Sequence, residues 1–272
     1  MSGLFKPMVS GPARHVQRLA ADPEYRTLAR LESALGRLPR ATPCRARVHG
    51  WNLEIPDAAS FLSSYREIFV DRRHAFPWPG PAPPRILDLG ANIGLSVLFF
   101  KHLHPRARIL ALEADPGMFR ILERNLRGNG FDDVERIARA AWNADTRLPF
   151  APDGADGGRV ALSGPAPLEV AAVDLGALLR GRDFDFVKVD VEGAEDVVLP
   201  ACRETLQRAR YLAVEYHSIP GRRQSLADLL RLMEECGFRV HVHSVISSPT
   251  PFVEVRPHAG FDLQLHLFGW KP

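Results

Sequence analysis

The stretch Ile86-Leu87-Asp88-Leu89-Gly90-Ala91-Asn92-Ile93-Gly94 decides the fold, because an apolar run passes directly into a turn bounded by two glycines. The run predicts a buried strand, and residues 95–102 have the pattern of a following helix. The glycines let the backbone turn sharply and let a ligand approach the main chain. Asn92 stands where the dinucleotide fingerprint Gly-x-Gly-x-x-Gly has its second glycine, so that fingerprint fails. A nicotinamide-dependent oxidoreductase is therefore only a lesser alternative.

The alternation of strands and helices continues downstream. Further strands are predicted at 108–113, 134–141, 184–190, 211–216, 238–245 and 261–268, and helices at 116–127, 195–202 and 225–236. Residues 142–183 are less regular, with a loop at 149–158 and a hairpin formed by 160–162 and 170–173. Strands and helices at this spacing predict an α/β fold, with a doubly wound, mostly parallel, Rossmann-like sheet of seven strands.

A proline-rich run at residues 77–84 separates this region from the preceding one, since it fits neither a helix nor a central strand. Upstream, residues 13–38 have helical periodicity broken by Pro23, 46–55 favour a hairpin, and 61–69 favour another helix. We therefore predict a mainly helical appendage at 1–84, which covers a site, selects an acceptor or forms a dimer, and a sheet domain at 85–272.

The composition excludes several classes of protein. The 272 residues carry 35 basic and 32 acidic side chains, and a net charge of +3 does not indicate a nucleic-acid partner. No apolar run is long enough for a membrane span or a secretory signal, so we expect no membrane partner. The three cysteines are far apart, which favours a reducing, cytoplasmic setting over disulfides or a zinc knuckle.

Acidic side chains stand where strands end, which is where such sheets bind ligands. Glu113 closes the second strand, 23 residues after Gly90, and its two oxygens can accept hydrogen bonds from both hydroxyls of a nucleoside ribose. Lys188 and Asp190 share one face of the strand at 184–190. A buried lysine is costly unless it is paired, so Lys188 is expected to contact a carboxylate.

Three motifs in order carry a resemblance to a known family. They are residues 86–94, Leu112-Glu-Ala-Asp-Pro116 and Val187-Lys-Val-Asp-Val-Glu-Gly-Ala-Glu195, with weaker similarity at 51–52 and 64–69. Over residues 85–217 the sequence resembles the FkbM family of S-adenosylmethionine-dependent methyltransferases. The resemblance implies a class I methyltransferase core and methyl transfer, usually to an oxygen of a small metabolite, natural product or sugar. N- or C-methylation, and a non-catalytic binding module with the same fold, stay as alternatives.

The residues themselves fit the donor that the resemblance implies, because its cationic sulfur favours acidic groups and a close main chain. Asp88 and Asp190 are placed near its methionine portion, and Glu113 at its ribose. The main chain at Gly90, Asn92 and Gly94 lies close to it. Apolar walls for adenine are expected from the ends of the second and third strands, at Ala114, Ala141 and Trp142, although core packing explains Trp142 nearly as well.

The acceptor side is predicted from the remaining strand ends. Glu215 and His217 lie on one side of a strand exit, and His217 suits a general base, or Glu215 acting through it; an exposed histidine is the simpler alternative. Gly193 permits a turn that exposes Glu192 or Glu195 to the cleft, although Glu195 could instead simply favour a helix amino terminus. The predicted catalytic set is therefore Lys188, Asp190, Glu215 and His217.

Three further predictions concern the surroundings of this set. Tyr65 and His74 join Glu192 on the acceptor side. A weaker alternative has Asp190, Glu192 and Glu215 binding a Mg²⁺ ion that lowers the pKa of the acceptor hydroxyl. The expected partner is a small-molecule acceptor, and a homodimer is possible.

Overall fold

The computed structural model describes residues 11–161 and 166–272. Residues 1–10 of the predicted appendage and Leu162 of the predicted hairpin lie outside them. The first part of the chain forms α1 (Gly11–Ala21), α2 (Pro23–Leu35), β1 (Cys44–Val48), β2 (Trp51–Ile55), α3 (Ala58–Tyr65) and a π-helix (Arg66–Val70). The middle forms β3 (Arg85–Leu89), α4 (Leu95–Leu103), β4 (Arg108–Leu112), α5 (Pro116–Arg127), β5 (Glu135–Ile137), β6 (Ala140–Trp142), β7 (Thr146–Ala151), β8 (Arg159–Val160) and β9 (Leu168–Asp174). The last part forms α6 (Leu175–Leu178), β10 (Phe186–Val189), α7 (Glu195–Ala201), α8 (Arg203–Arg208), β11 (Tyr211–Ser218), α9 (Leu226–Glu235), β12 (Arg239–Ile246) and β13 (Leu263–Trp270).

Within the described residues the main sheet has seven strands in the spatial order β12-β13-β11-β10-β3-β4-β5. The pairs β11–β10, β10–β3, β3–β4 and β4–β5 are parallel, whereas β13 runs antiparallel to both β11 and β12. The predicted α/β fold with a mostly parallel sheet is confirmed. Strand order reverses between β3 and β10, and ligands bind at the carboxyl ends of strands beside such a reversal.

Both faces of this sheet are covered, which explains the nearly continuous apolar runs in its central strands. On β3, Ile86 points to the layer that contains α4 and α5, and Leu87 and Leu89 point to the layer of α6–α9. These three side chains are completely buried. This burial fixes the carboxyl end of the strand, at Leu89, at the edge of the sheet where the glycine turn begins.

The region after α5 differs from the prediction. The single strand expected at 134–141 is two strands, and only β5 belongs to the main sheet. β6 starts a second sheet of order β6-β9-β7-β8, in which β8 and β9 each pair with β7 rather than with each other. The predicted hairpin partners are therefore wrong. Leu148 and Phe150 alternate inward on β7 despite Pro149, whose carbonyl accepts a hydrogen bond from the Ala161 amide.

The segment before the proline run packs onto the sheet domain. The break predicted at Pro23 is present: α1 ends at Ala21 and Pro23 begins α2, where the Asp22 carboxylate caps the amides of Glu24 and Tyr25. The Phe69 ring lies 5.1 Å from the Phe99 ring on α4. One apolar cluster joins buried residues of α2, β2, α3 and the π-helix to those of α4 and α5.

Among the residues described, no helix combines the length and the apolar character needed to cross a bilayer.

Candidate active site

A cavity of about 510 Å³ opens at the carboxyl ends of β3, β4, β10 and β11. Its walls come from the turn after β3, the strand ends, the N-terminal segment, the hairpin β7–β8 and the loop before β13. The predicted site residues that line it are Gly90, Asn92, Glu113, Ala114, Ala141, Lys188, Asp190, Glu192, Glu215 and His74. The structure therefore brings most of the predicted residues to one cavity.

The turn after β3 is shaped by glycine at a point of close backbone approach. Gly90 has φ of +85°, and a Cβ atom there would lie 1.8 Å from the Asp190 carbonyl oxygen. Any side chain would therefore push apart the ends of β3 and β10. Gly94 has φ of +93° and packs under Leu122 of α5, so it supports the turn from outside the cavity.

Glu113 is held by the same turn. Its Oε2 accepts a hydrogen bond from the Asn92 amide at 2.7 Å, and its Oε1 accepts one from the Asp115 amide at 2.7 Å. Burial raises the pKa of Glu113 to about 7, although the two amides act to lower it. Each carboxylate oxygen accepts more than one hydrogen bond, so the fixed group can still bind a ligand hydroxyl.

Two of the three residues predicted as adenine walls line the cavity. Ala114 and Ala141 line the cavity together with Met118 and Phe150, which the sequence reasoning missed. Trp142 instead packs between the two apolar layers on either side of β6. Phe150 could have been found from the alternation on β7, which the residues around Pro149 obscured.

Lys188 joins the carboxylates as the sequence predicted. Its Nζ donates to the Gly90 carbonyl at 2.9 Å and to Asp190 Oδ2 at 3.2 Å, and it lies 3.4 Å from Asp88 Oδ1. Burial acts to lower the pKa of Lys188, but the charges of Asp190 and Asp88 outweigh it and raise that pKa above its usual range. Asp88 lies behind the cavity wall and accepts a hydrogen bond from Ser96.

His217 lies behind the wall rather than at the cavity surface, which argues against the predicted general base. The exposed fraction of its side chain is 0 %. Burial alone would lower the pKa of His217, but Glu195 and Glu192 raise it to about 10. The imidazole is then a cation near neutral pH and has no free acceptor for a proton. Phe261, which lines the cavity, packs its ring 4.5 Å from the imidazole.

Glu215 lines the cavity but is tightly paired. Its Oε2 lies 3.2 Å from His266 Nε2, and its Oε1 accepts a hydrogen bond from Gln264. Burial acts to raise the pKa of Glu215, but the contact with His266 and the nearby charge of His217 lower it to about 2. Such a carboxylate is a weak base.

Glu67 and His266 are site residues that the sequence reasoning missed. Glu67 lines the cavity from the π-helix, and its Oε1 lies 3.2 Å from His266 Nε2. On its other side, His266 Nδ1 is 2.6 Å from an amino group of Arg73. Glu67 lies within residues 64–69, which weakly resemble the family, and this resemblance was the signal that could have identified it. His266, two residues after Gln264 on β13, carried no signal of its own.

The other acceptor-side predictions have mixed outcomes. Tyr65 lies in the N-terminal core, where its hydroxyl donates to Glu24 at 2.6 Å and its ring stacks on Phe69. His74 does line the cavity, and burial lowers its pKa to about 3, so it is neutral. Glu192 lines the cavity beside Gly193, and its carboxylate lies 3.5 Å from His217.

Among the described residues around the cavity, two groups of side chains have the spacing of metal ligands, namely Glu67–Glu215–His266 and Asp190–Glu215–His217. In the first, Arg73 can only donate to His266 Nδ1, so the ring proton is on Nε2 and that nitrogen cannot bind a cation. In the second, Lys188 and the cationic His217 already balance the carboxylates. These side chains form ion pairs with one another and do not suit a metal ion, so we identify no metal ligands among them.

Comparison with known proteins agrees with this geometry. The sequence profile described as "Methyltransferase FkbM domain" matches residues 88–240. The chain is 28 % identical to 31-O-demethyl-FK506 methyltransferase FkbM of Streptomyces tacrolimicus over 222 residues, which is 67 % of this chain and 82 % of that protein. It is 26 % identical to 2-O-methyltransferase NoeI of Sinorhizobium fredii over 155 residues, 49 % of this chain and 63 % of NoeI, so the match spans less than two thirds of that relative. Another relative is matched over 25 % of its length.

The fold has a counterpart among solved structures. The S-adenosylmethionine-dependent methyltransferase from Agrobacterium tumefaciens superposes with a TM-score of 0.52 at 14 % identity, covering 87 % of this chain and 72 % of that one. The sheet order, the glycine turn and the match over more than half of the chain agree. The chain belongs to the FkbM family of methyltransferases, on a class I methyltransferase fold.

Proposed function

We propose that this protein transfers a methyl group from S-adenosylmethionine to a hydroxyl oxygen of a small metabolite, natural product or sugar. The observation that carries the proposal is the Glu113 carboxylate, fixed by the Asn92 amide at the turn where Gly90 meets Asp190. A nucleoside ribose is recognised by a carboxylate in this position.

The residues present fit this donor. Gly90 lines the cavity beside the Lys188–Asp190 pair, where the amino-acid end would bind. Glu113 would accept from the ribose hydroxyls, and adenine would lie between the walls formed by Ala114, Met118, Ala141 and Phe150. When bound, the donor supplies a methyl group activated by its cationic sulfur. The surrounding carboxylates favour that positive charge.

Oxygen is the preferred target for two reasons. The names of two relatives, 2-O-methyltransferase NoeI and 31-O-demethyl-FK506 methyltransferase, both refer to an oxygen. The cavity also carries a carboxylate, that of Glu67, which can accept a hydroxyl proton. Transfer to nitrogen or carbon is the alternative, and a product analysis by mass spectrometry distinguishes these.

The donor is tested by calorimetry on the full chain with S-adenosylhomocysteine. We expect binding by the native protein, and affinity at least tenfold lower for Glu113→Gln. Glu169→Gln, which removes an exposed carboxylate paired with Arg147, is the matched control and should bind normally. Binding of NAD but not of S-adenosylhomocysteine would support the oxidoreductase alternative instead. Binding of neither at millimolar concentration would refute the proposed donor.

The setting of the protein is also part of the proposal. Cys44, Cys202 and Cys236 are all free thiols, which fits the reducing compartment expected from the sequence. We propose a small-molecule acceptor and no nucleic-acid partner. Analytical ultracentrifugation at micromolar concentration tests whether the chain forms the predicted homodimer.

A further inference from the structure

We propose that Glu67, contributed by the N-terminal segment, is the general base that takes the proton from the acceptor hydroxyl. This inference rests on the proposed function, since it assigns a role in the same cavity. Its basis is the position of Glu67 among the titratable groups of the cavity and the contacts that fix its carboxylate.

Glu67 reaches the cavity at the point where the helix that carries it changes its winding. The helix α3 runs on into the π-helix, where the Asp71 amide donates to the Arg66 carbonyl, five residues back, at 2.8 Å. Glu67 continues the helix face of Ser60, Ser63 and Ser64, which also line the cavity. Ile68 and Phe69 remain in the apolar core while Glu67 faces the cavity. Single π-turns of this kind are frequent at functional sites.

The neighbouring groups leave Glu67 as the available base. Asp190 is engaged by Lys188 at 3.2 Å, and Glu215 by Gln264 and His266. Glu192 faces the cationic His217, and His74 is too acidic in its protonated form to hold a proton near neutral pH. Among the acidic and histidine side chains described around Lys188, Glu67 combines a place on the cavity wall with a single polar side-chain partner, His266.

His266 orients Glu67 without protonating it. The Arg73 guanidinium has only donors, so His266 Nδ1 must accept, and the ring proton lies on Nε2. The Nε2 nitrogen lies 3.2 Å from Glu67 Oε1 and 3.2 Å from Glu215 Oε2. Oε1 of Glu67 therefore lies beside His266, and Oε2 is the oxygen left to accept the acceptor proton.

The acidity of Glu67 suits this role. Burial raises its pKa to about 7, and the negative charge of Glu215 adds to the rise. A base whose pKa lies near the working pH is both ionised for a large part of the time and basic enough to accept a proton.

The step balances without a further reactant. The acceptor oxygen forms a bond to the methyl carbon as the carbon–sulfur bond breaks, and the electron pair of that bond goes to sulfur. The proton of the hydroxyl passes to Glu67 Oε2. The products are a methyl ether, a neutral thioether and a protonated Glu67, which then releases its proton to solvent.

The first test measures the titration of Glu67 directly. In protein labelled with ¹³C at the glutamate carboxyl carbons and saturated with S-adenosylhomocysteine, we expect a resonance, separate from that of Glu113, that titrates near neutral pH and is absent in Glu67→Gln. Glu32→Gln, which removes an exposed carboxylate paired with Arg66 outside the cavity, should keep that resonance. Titration of the Glu67 resonance near pH 4 to 5, as for an ordinary glutamate, would overturn the proposal.

The second test measures methyl transfer from radiolabelled S-adenosylmethionine to two probes, catechol and methyl α-D-glucopyranoside. For any probe that the native protein methylates, kcat should fall at least 100-fold in Glu67→Gln, with S-adenosylhomocysteine affinity unchanged. Glu67→Asp should keep part of the rate, and Glu32→Gln all of it. A native rate in Glu67→Gln overturns the inference alone, whereas failure of the native protein to bind S-adenosylhomocysteine overturns the proposed function.

Discussion

Nδ1 of His217 donates a hydrogen bond to Oε1 of Glu195 at 3.0 Å, and neither side chain is in contact with solvent. Glu195 also accepts from the Gly193 amide, so it links the turn after β10 to the end of β11. The pair is therefore a structural link between two strands, with Glu192 and Glu215 close to the other imidazole nitrogen.

The charge on His217 should make stability depend on pH. Its pKa of about 10 in the folded protein exceeds that of an unfolded histidine, so the stabilisation is complete below pH 6.5 and is lost as pH rises through 10. We expect the free energy of unfolding to fall by about 2–4 kcal/mol between pH 7.5 and 10. Denaturant melts across this range measure it. His217→Gln should lose most of the fall, while His241→Gln, at an exposed position on β12, should keep it. An unchanged pH profile in His217→Gln would contradict this assignment.

The backbone contact at Gly90 predicts a second result. Gly90→Ala places a methyl group against the Asp190 carbonyl, so we expect at least tenfold weaker S-adenosylhomocysteine binding and a loss of about 2–4 kcal/mol in the free energy of unfolding. Gly50→Ala is the control, since Gly50 has nearly the same φ, +86°, but open space around it. It should cost only about 1–2 kcal/mol and leave binding intact. Equal effects of the two substitutions would show that φ, rather than the contact, matters.

Donor affinity should depend on the ionisation of Glu113. The ionised carboxylate is the stronger acceptor for ribose hydroxyls, and its pKa is about 7, so affinity for S-adenosylhomocysteine should rise up to about tenfold from pH 6 to pH 8. Isothermal calorimetry at several pH values measures this rise. Glu113→Gln should be weak and nearly independent of pH over that interval, and Glu169→Gln should behave as the native protein does. A native affinity that falls with pH would be inconsistent with the role of Glu113.

Removal of metal ions should leave methyl transfer unchanged. Lys188 and His217 already supply positive charge beside Asp190, Glu192 and Glu215, so no cation is required to balance them. The rate is to be measured before and after dialysis against EDTA, with and without added Mg²⁺. Loss of activity that Mg²⁺ restores would favour the alternative in which these three carboxylates bind the ion.

The sequence could predict what local pattern determines. The strand, glycine turn and helix at 86–102 and the carboxylate that ends β4 follow from apolar runs and spacing, and these place Gly90 and Glu113 correctly. Lys188 was recognisable because a lysine in an apolar strand needs a carboxylate. The apolar runs and spacing of β3 and β4 are therefore enough to predict the positions of Gly90 and Glu113 at one end of the cavity.

What the sequence could not show depends on contacts between distant segments. His217 ends a strand at the correct edge, but its burial results from Phe261 and Glu195, which lie 44 and 22 positions away. Glu67 lies on the helix face of Ser60 and Ser64 that lines the cavity, and which face that is depends on how α3 packs against the sheet domain. The break between β5 and β6 arises because the two strands join different sheets. The apolar pattern of a strand does not indicate which of the two sheets it joins.

The proline run at 77–84 resembles a linker in sequence. The ring of Phe76, directly before the run, nevertheless stacks on the ring of Phe186 of β10 at 4.7 Å. A protein restarted at Arg85 would present to water the apolar surface that Phe69 and Phe76 now cover, and we expect it to aggregate. The same packing restricts how relatives of this enzyme can diverge. A chimera that takes its N-terminal segment from another family member must also take the matching face of α4 and α5, so the part of the chain that carries Glu67 cannot be exchanged independently of the core.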